Sequence, residues 1–293
     1  MPSTRDIRRR IKSVKNTAQI TKAMQMVAAS KMRKAQQVAL SGRPYASLMN
    51  EVLANVTSYA GDFSHPLMTV RPVRTRAVIV ISSDKGLAGG LNSNLMREVA
   101  KFEKTNTTYI AAGRKGAQFI SRTQRKLAAE FTYKDAPLFS EARAISRFAQ
   151  ELFLKGEVDQ VDIVFTKFVS TLTQKPEVRP LIPVGELKSV TVGTGKAAEA
   201  AAMTSGATEF IFEPNPGDVF SALVPHYLNF QVYQILLEAK ASEHSARMVA
   251  MKSATDNAKQ LIKDLTLEYN KLRQNNITKE LLEISSATMT MGQ

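Results

Sequence analysis

Both ends of the chain carry stretches without proline or glycine that are too long for an ordinary globular helix. Between Thr4 and Ser41 neither residue occurs. At about 1.5 Å per residue this run forms a rod of roughly 57 Å. Ser3 stands at the N-cap position with Asp6 three residues on, a carboxylate placed for a capping box and for the helix dipole. Ile7, Ile11, Val14 and Ala18 follow at helical spacing, then drift to Ile20, Met24, Val27 and Ala28 and on to Met32, Ala35 and Ala39. Gly42 and Pro44 predict a kink or an end, after which Tyr45, Leu48, Met49, Val52, Leu53 and Val56 resume the helical period. The second run reaches from Tyr227 to Met289, and as a helix would extend about 95 Å. It is expected to begin near Asp218, and Pro225 predicts a kink or a short separate first helix. Ala246, Ala250, Ala254 and Ala258 lead into Leu261, Leu265 and Leu272, a small-residue face that lets a partner helix come close. The two rods are expected to pack as an antiparallel coiled coil without a strict heptad.

Between the rods the pattern changes period. Ala77–Ile81 is a continuous apolar run of the kind found in strands buried on both faces. Leu91, Leu95, Val99 and Phe102 then mark a helix, Thr108–Ala112 a strand, and residues near Ala117–Ser121 a short helix. Ile145, Phe148, Ala149 and Leu152 predict another helix and Val161–Val169 a strong strand. Glu177–Val184 reads as a last strand, confined to an edge by Pro180 and Pro183. This alternation predicts a small, mostly parallel, Rossmann-like sheet domain. The expected fold class is therefore α/β, a long antiparallel coiled coil of N- and C-terminal helices with an inserted Rossmann-like domain. The expected divisions are 1–60 and 214–293 for the coiled-coil helices, 75–190 for the α/β domain and 191–213 for a small-residue linker.

Residue chemistry argues against an enzyme. Cysteine is absent, which removes thiol nucleophiles and thiolate metal sites, and the three histidines (His65, His226 and His244) are far apart. No metal site or cofactor is expected. The loop Ser82–Gly90 joins a buried strand to a helix, where α/β folds hold phosphate. Its glycines fit neither dinucleotide nor P-loop spacing, so it reads as a tight turn. Asp84, its one carboxylate, has no visible acid–base partner. Charge is more informative. Residues 1–45 hold eleven Lys and Arg against Asp6 alone, most of the net +14 of the chain. No aromatic residue lies between Met1 and Pro44 to stack on bases, so acidic protein surfaces are the expected partner and nucleic acid is not. Ile284–Gln293 bears no charge, which suggests a helix tip that sits inside something.

Several blocks are recognisable. ITKAMQMVAASKMRKAQ (Ile20–Gln36), SSDKGLAGGLNSNL (Ser82–Leu95), ASEHSARMVAMKSATDNA (Ala241–Ala258) and RQNNITKELLEI (Arg273–Ile284) closely resemble the gamma subunit of F-type ATP synthase. The resemblance covers essentially the whole chain. It implies a noncatalytic rotor whose coiled coil stands in a hexamer of alpha and beta subunits, with the sheet domain, epsilon and the c ring forming the foot. Lys22 and Met24 then resemble the shaft positions that face beta, and Arg273, Gln274 and Thr278 the polar group that meets a beta loop. Leu281, Leu282, Ile284, Met289 and Met291 would lie in the bearing tip. Phe212 and Glu213 resemble a foot motif near the c ring, although many relatives have tyrosine where Phe212 stands. The implied place is the cytoplasmic face of a bacterial inner membrane, with membrane contact only through the complex.

Overall fold

A computed structural model describes residues 3–59, 65–184, 213 and 215–291. The chain divides into two compact units, one made by residues up to 28 together with those from 248 onward, the other by residues 29–247.

The first unit is a helix pair. Helix α1 runs Thr4–Ser41, and the C-terminal helix, labelled α6 below, runs Pro216–Met291. The cap predicted at Ser3 is present. The Asp6 amide donates to Ser3 Oγ at 3.2 Å and the Ser3 hydroxyl donates to the Asp6 carboxylate at 2.8 Å. These Ser3 bonds hold the Asp6 carboxyl below the ordinary carboxylate range.

The helix pair departs from expectation in its seam. The buried and half-buried positions on α1 are Ile7, Ile11, Val14, Ala18, Thr21, Gln25 and Ala28, alternating in steps of four and three. On α6 they are Met251, Thr255, Ala258, Ile262, Leu265, Tyr269 and Leu272, in the same alternation. Met24 and Ala254 flank the two rows, half-buried. That is a strict heptad, the repeat that winds two helices left-handedly. Reading apolar residues alone misses it, because polar Thr21, Gln25 and Thr255 fill seam positions. Ile20, at 60% exposed, and Leu261, at 47%, lie outside it. The Thr21 and Thr255 hydroxyls meet at 2.7 Å. Counting outward from that pair in the antiparallel sense puts Thr4 opposite Leu272. Leu272 is also the last α6 position in the seam, and residues 273–286 are all exposed. Burial stops where the partner helix begins.

This seam makes a discriminating prediction. Ile7→Ala removes a fully buried side chain and should cost about 2–4 kcal/mol, whereas Ile20→Ala should stay within about 0.5 kcal/mol. Thermal melting followed by circular dichroism at 222 nm separates the two.

In the second unit, α1 ends at a turn on Gly42, and α2 (Arg43–Tyr59) starts at once with Pro44 in its first turn, where no amide is needed. The strands are β1 (Arg76–Ile81), β2 (Thr107–Ala112), β3 (Lys126–Phe131), β4 (Gln160–Phe168) and β5 (Gln174–Ile182). Between them come α3 (Leu91–Ala100), α4 (Arg114–Arg122) and α5 (Phe139–Leu154). The sheet order is β3-β2-β1-β4-β5, with parallel pairs throughout except antiparallel β4–β5. Edge strand β5 accommodates Pro176 and Pro180 because its outer amides have no strand to meet. Strand β3 was not predicted. It is the other edge, and half-exposed alternation in KLAAEF gives no buried run to find.

The sheet is covered on both sides, as its apolar strands require. Ala77, Ile79 and Ile81 pack with α5 and with Val224, Leu228, Val232 and Leu236 of α6. Val78 and Val80 pack on the other face with Leu95, Val99, Ala117 and Ile120. Helix α6 is buried nearly all round from Tyr227 to Ser245, so it behaves there as a core helix. That burial explains why Pro225 does not break it: one lost backbone bond is outweighed by the packing of Phe220, Val224, Tyr227 and Leu228. The linker expected over 191–213 lies outside the described residues except for Glu213.

Candidate functional site

The carboxyl ends of β1 and β4 are where the strand order changes direction, the place an open α/β sheet keeps for a ligand. In this chain its own residues fill it. The loop after β1 supplies acceptors for the first three amides of α4, and the Gly113 carbonyl takes the fourth. Arg114 N–H donates to the Asp84 carboxylate at 3.0 Å, and Lys115 N–H to the Ser83 carbonyl at 3.1 Å. Gly116 N–H donates to Ser82 Oγ at 2.7 Å, and Ala117 N–H to the Gly113 carbonyl at 3.3 Å. A phosphate at a helix N-terminus needs those amides free, and all four are taken. Ser83 Oγ and Asn92 Nδ2 lie 2.8 Å apart, tying the same loop to α3. The Ser82–Gly90 segment is therefore a capping loop, with Asp84 as a helix cap rather than an acid or base.

Helix α6 closes the rest of the crevice. The Phe168 amide at the end of β4 donates to Glu238 at 3.3 Å, and Ser245 Oγ donates to the Thr171 carbonyl at 2.8 Å. Arg247 donates to the carbonyls of Lys85 and Gly86 at 3.4 and 3.3 Å.

A charged cluster underlies this lid. Lys240 is 1% exposed and Glu243 4%. Lys240 Nζ lies 3.0 Å from Glu243 and 3.8 Å from Asp135, and Arg247 reaches Glu243 at 2.7 Å. Lys31 pairs with Asp135, and its bond holds that carboxyl below the ordinary range. Burial pushes Glu243 up, but the Lys240 and Arg247 charges outweigh it, so its carboxyl also titrates below the ordinary value. Tyr133, beneath Lys240, donates to the Ser82 carbonyl at 3.0 Å, and burial raises its phenol well above the usual value. Lys31 belongs to the basic run of α1, but Tyr133, Asp135, Lys240, Glu243 and Arg247 were not picked out from the sequence. The signal for the α6 members was Lys240, Glu243 and Arg247 at helical steps of three and four.

The histidines remain apart. His65 Nδ1 accepts the Leu67 amide at 3.1 Å and caps the short 3₁₀ turn Pro66–Met68. His226 Nε2 lies 2.7 Å from the Tyr45 hydroxyl. His244 is buried beside Arg247, and burial lowers its pKa to about 4. Among the described residues no group of His, Cys, Asp and Glu could hold a metal, and no helix is long and apolar enough to cross a membrane.

The residues expected to meet beta and to form the bearing tip lie on the two long helices. Lys22 is exposed and Met24 half-buried beside the seam. Arg5, Arg8, Arg9, Arg10, Lys12 and Lys15 are all exposed as well, so the basic run of α1 is a solvent-facing surface. On α6, Arg273, Gln274 and Thr278 fall on one broad face beyond the end of α1, all exposed. The Thr278 hydroxyl donates to its own helix at the Gln274 carbonyl, 3.0 Å away, which leaves its lone pairs outward. Leu281, Leu282 and Ile284 are exposed. The seam, continued, would pass through Asn276, Lys279 and Glu283. Ile277, Leu281 and Ile284 instead form an apolar ridge on a different side of the helix. Glu213 is exposed. Phe212 and the side chains of Met289 and Met291 lie outside the described residues.

Comparison with known proteins agrees with this arrangement. Residues 3–291 match the family described as ATP synthase. The chain is 50% identical over 291 residues to the ATP synthase gamma chain of Opitutus terrae, covering 98% of each. It is 48% identical over 297 residues to that of Methylacidiphilum infernorum, covering 100% of both. Among solved structures it matches a chain in the central stalk and c-ring of the Tetrahymena thermophila mitochondrial ATP synthase. That likeness has a TM-score of 0.60 at 25% identity, over 80% of this chain and 99% of the other. A chain of the Euglena gracilis mitochondrial ATP synthase shares the fold, with a TM-score of 0.70 at 19% identity over 98% and 94%. Similarity of this depth along the full length of both partners means that the chain belongs to the ATP synthase gamma-chain family, as a noncatalytic central-stalk subunit of an F-type enzyme.

Proposed function

We propose that the helix pair turns as a shaft inside a hexamer of alpha and beta subunits, while the sheet-bearing residues join epsilon and the c ring as its foot. In this reading 1–60 and 214–293 supply the shaft, 75–190 the foot and 191–213 the linker. Proton flow turns the ring, and the turning shaft presents a different face to each beta subunit. Each face shifts the equilibrium of that beta subunit among conformations that bind ADP and phosphate or release ATP, through differential contact alone. Lys22 and Met24 on α1, and Arg273, Gln274 and Thr278 on α6, are the residues we assign to the beta contacts. Glu213, with Phe212, is assigned to the c ring. The complex sits on the cytoplasmic face of a bacterial inner membrane, and this chain reaches the membrane only through its partners.

The observation that carries this reading is the mismatch in length of the two helices. The seam ends at Leu272, and α6 continues with an exposed apolar ridge set off from the seam. A solvent-exposed apolar ridge of this kind suits an apolar sleeve. The basic face of α1 suits acidic surfaces beside it.

Reconstitution tests the reading. Purified chain mixed with alpha and beta subunits should give a complex whose ATPase depends on it and in which a rod attached to the chain rotates. Leu281→Glu with Ile284→Glu would force carboxylates into the sleeve, and should weaken assembly at least about tenfold. The melting of the isolated chain should not change. A hexamer whose ATPase is indifferent to the chain, or equal assembly by the double variant, would overturn it.

A further inference from the structure

The polypeptide crosses between the two units at Ala28–Ala29 on α1 and at Arg247–Met248 on α6. The polypeptide leaves residues 29–247 along those two helices. Apolar burial is non-directional, so the collar of Val, Leu and Ile around α6 does not by itself fix how the helix is turned about its axis. Charged hydrogen bonds do, because they require a particular geometry.

One chain of charges stands just inside both crossings. Lys31 of α1 pairs with Asp135, in the segment between β3 and α5. Asp135 faces Lys240 of α6 at 3.8 Å, and Lys240 meets Glu243 at 3.0 Å. Glu243 accepts from Arg247 at 2.7 Å, and Arg247 donates onward to the Lys85 and Gly86 carbonyls in the loop after β1. Lys240 Nζ also lies 4.5 Å from the centre of the Tyr133 ring, whose hydroxyl binds the Ser82 carbonyl. The series thus joins both long helices to two separate loops of the sheet. Buried charge of this sort is a poor source of stability, since well-packed apolar side chains often do as well or better. What it supplies that apolar packing cannot is a defined angular setting.

We propose that this ion-pair chain is the torsional clamp of the shaft, with Lys31, Asp135, Lys240, Glu243 and Arg247 as positioning residues that lock the rotational setting of α1 and α6 against the sheet. The clamp rests on the shaft reading above.

The test uses the assembled enzyme. Because the chain has no cysteine, Lys104→Cys at an exposed position offers a single attachment point on this chain for a rod. With the alpha–beta hexamer immobilised and stalled, the angular variance of the rod reports torsional stiffness. Asp135 is half-exposed, so Asp135→Asn should fold. It should roughly double the variance, as neutral hydrogen bonds are about half as strong as charged ones. Asp135→Glu, which keeps the charge, should restore the native width, and Glu243→Gln should broaden it further. Unchanged variance in both Asp135→Asn and Glu243→Gln would overturn the clamp. A rod that fails to rotate on the unsubstituted chain with ATP would instead sink the shaft reading, so the two failures are distinguishable. Melting of each isolated variant confirms that the recordings are made on folded protein.

Discussion

Gly113→Ala is expected to destabilise the sheet-bearing unit by about 2–6 kcal/mol, the sum of backbone strain and steric overlap. Gly113 has φ +105, a region that side chains other than hydrogen rarely enter. An added Cβ would lie 2.1 Å from the Ser82 carbonyl oxygen, with no flexible neighbour to yield. The damage should spread, because Ser82 is also the cap of α4 and the acceptor for Tyr133. Denaturant unfolding of the purified chain measures the loss. A midpoint within about 0.5 kcal/mol of the native one would show that the β1 loop can move aside, contrary to the packing described here.

The second large effect is a dependence on pH. His244 is buried and its pKa is lowered to about 4 from 6.5, with burial as the leading cause. Arg247 and Lys240 lower it further, while Glu243 and Asp135 act in the opposite direction. Between those two values the unfolded chain binds a proton that the folded chain refuses. Stability from this group is therefore complete above about pH 6.5 and is lost as pH falls towards 4, by about 3 kcal/mol. Glu243 adds a loss only at lower pH, since its depressed carboxyl stabilises the fold above its unfolded pKa. Unfolding at pH 7 and pH 4.5 should show this slope, and His244→Gln should flatten it. An equal slope in the variant would assign the acid sensitivity to other groups.

Much of the fold is legible because it follows from local periodicity. The bounds of α1, the Ser3–Asp6 cap, the break at Gly42, the four inner elements from β1 to α4 and the edge position of β5 each express a short-range rule. The heptad was harder to see. Its seam includes Thr21, Gln25 and Thr255, and a pattern built on apolar residues slides to Ile20, Val27 and Leu261 instead. Strand β3 was missed because an edge strand half-open to solvent carries no apolar run. The candidate contact residues on the helix pair, from Lys22 to Ile284, were recognisable as family motifs. The geometry adds that all but half-buried Met24 are surface-facing, and that the apolar ridge leaves the seam at Ile277.

The cluster at the carboxyl edge marks the limit. Nothing local in KASEHSARM says that Lys240 and Glu243 are buried, or that Asp135, more than a hundred residues earlier, stands beside Lys240. By itself the sequence determined the elements: two long terminal helices, an α/β middle, a basic first helix and an uncharged C-terminal stretch. Those depend on spacing and composition, which act over a few residues. Only the tertiary structure decided that α6 occupies the crevice an open sheet leaves for a ligand, that the Ser82–Asp84 loop caps α4, and that three cationic side chains from two helices, Lys31, Lys240 and Arg247, close on Glu243 and Asp135. Such contacts arise from long-range packing, where the burial of one segment sets the surroundings of another far along the chain.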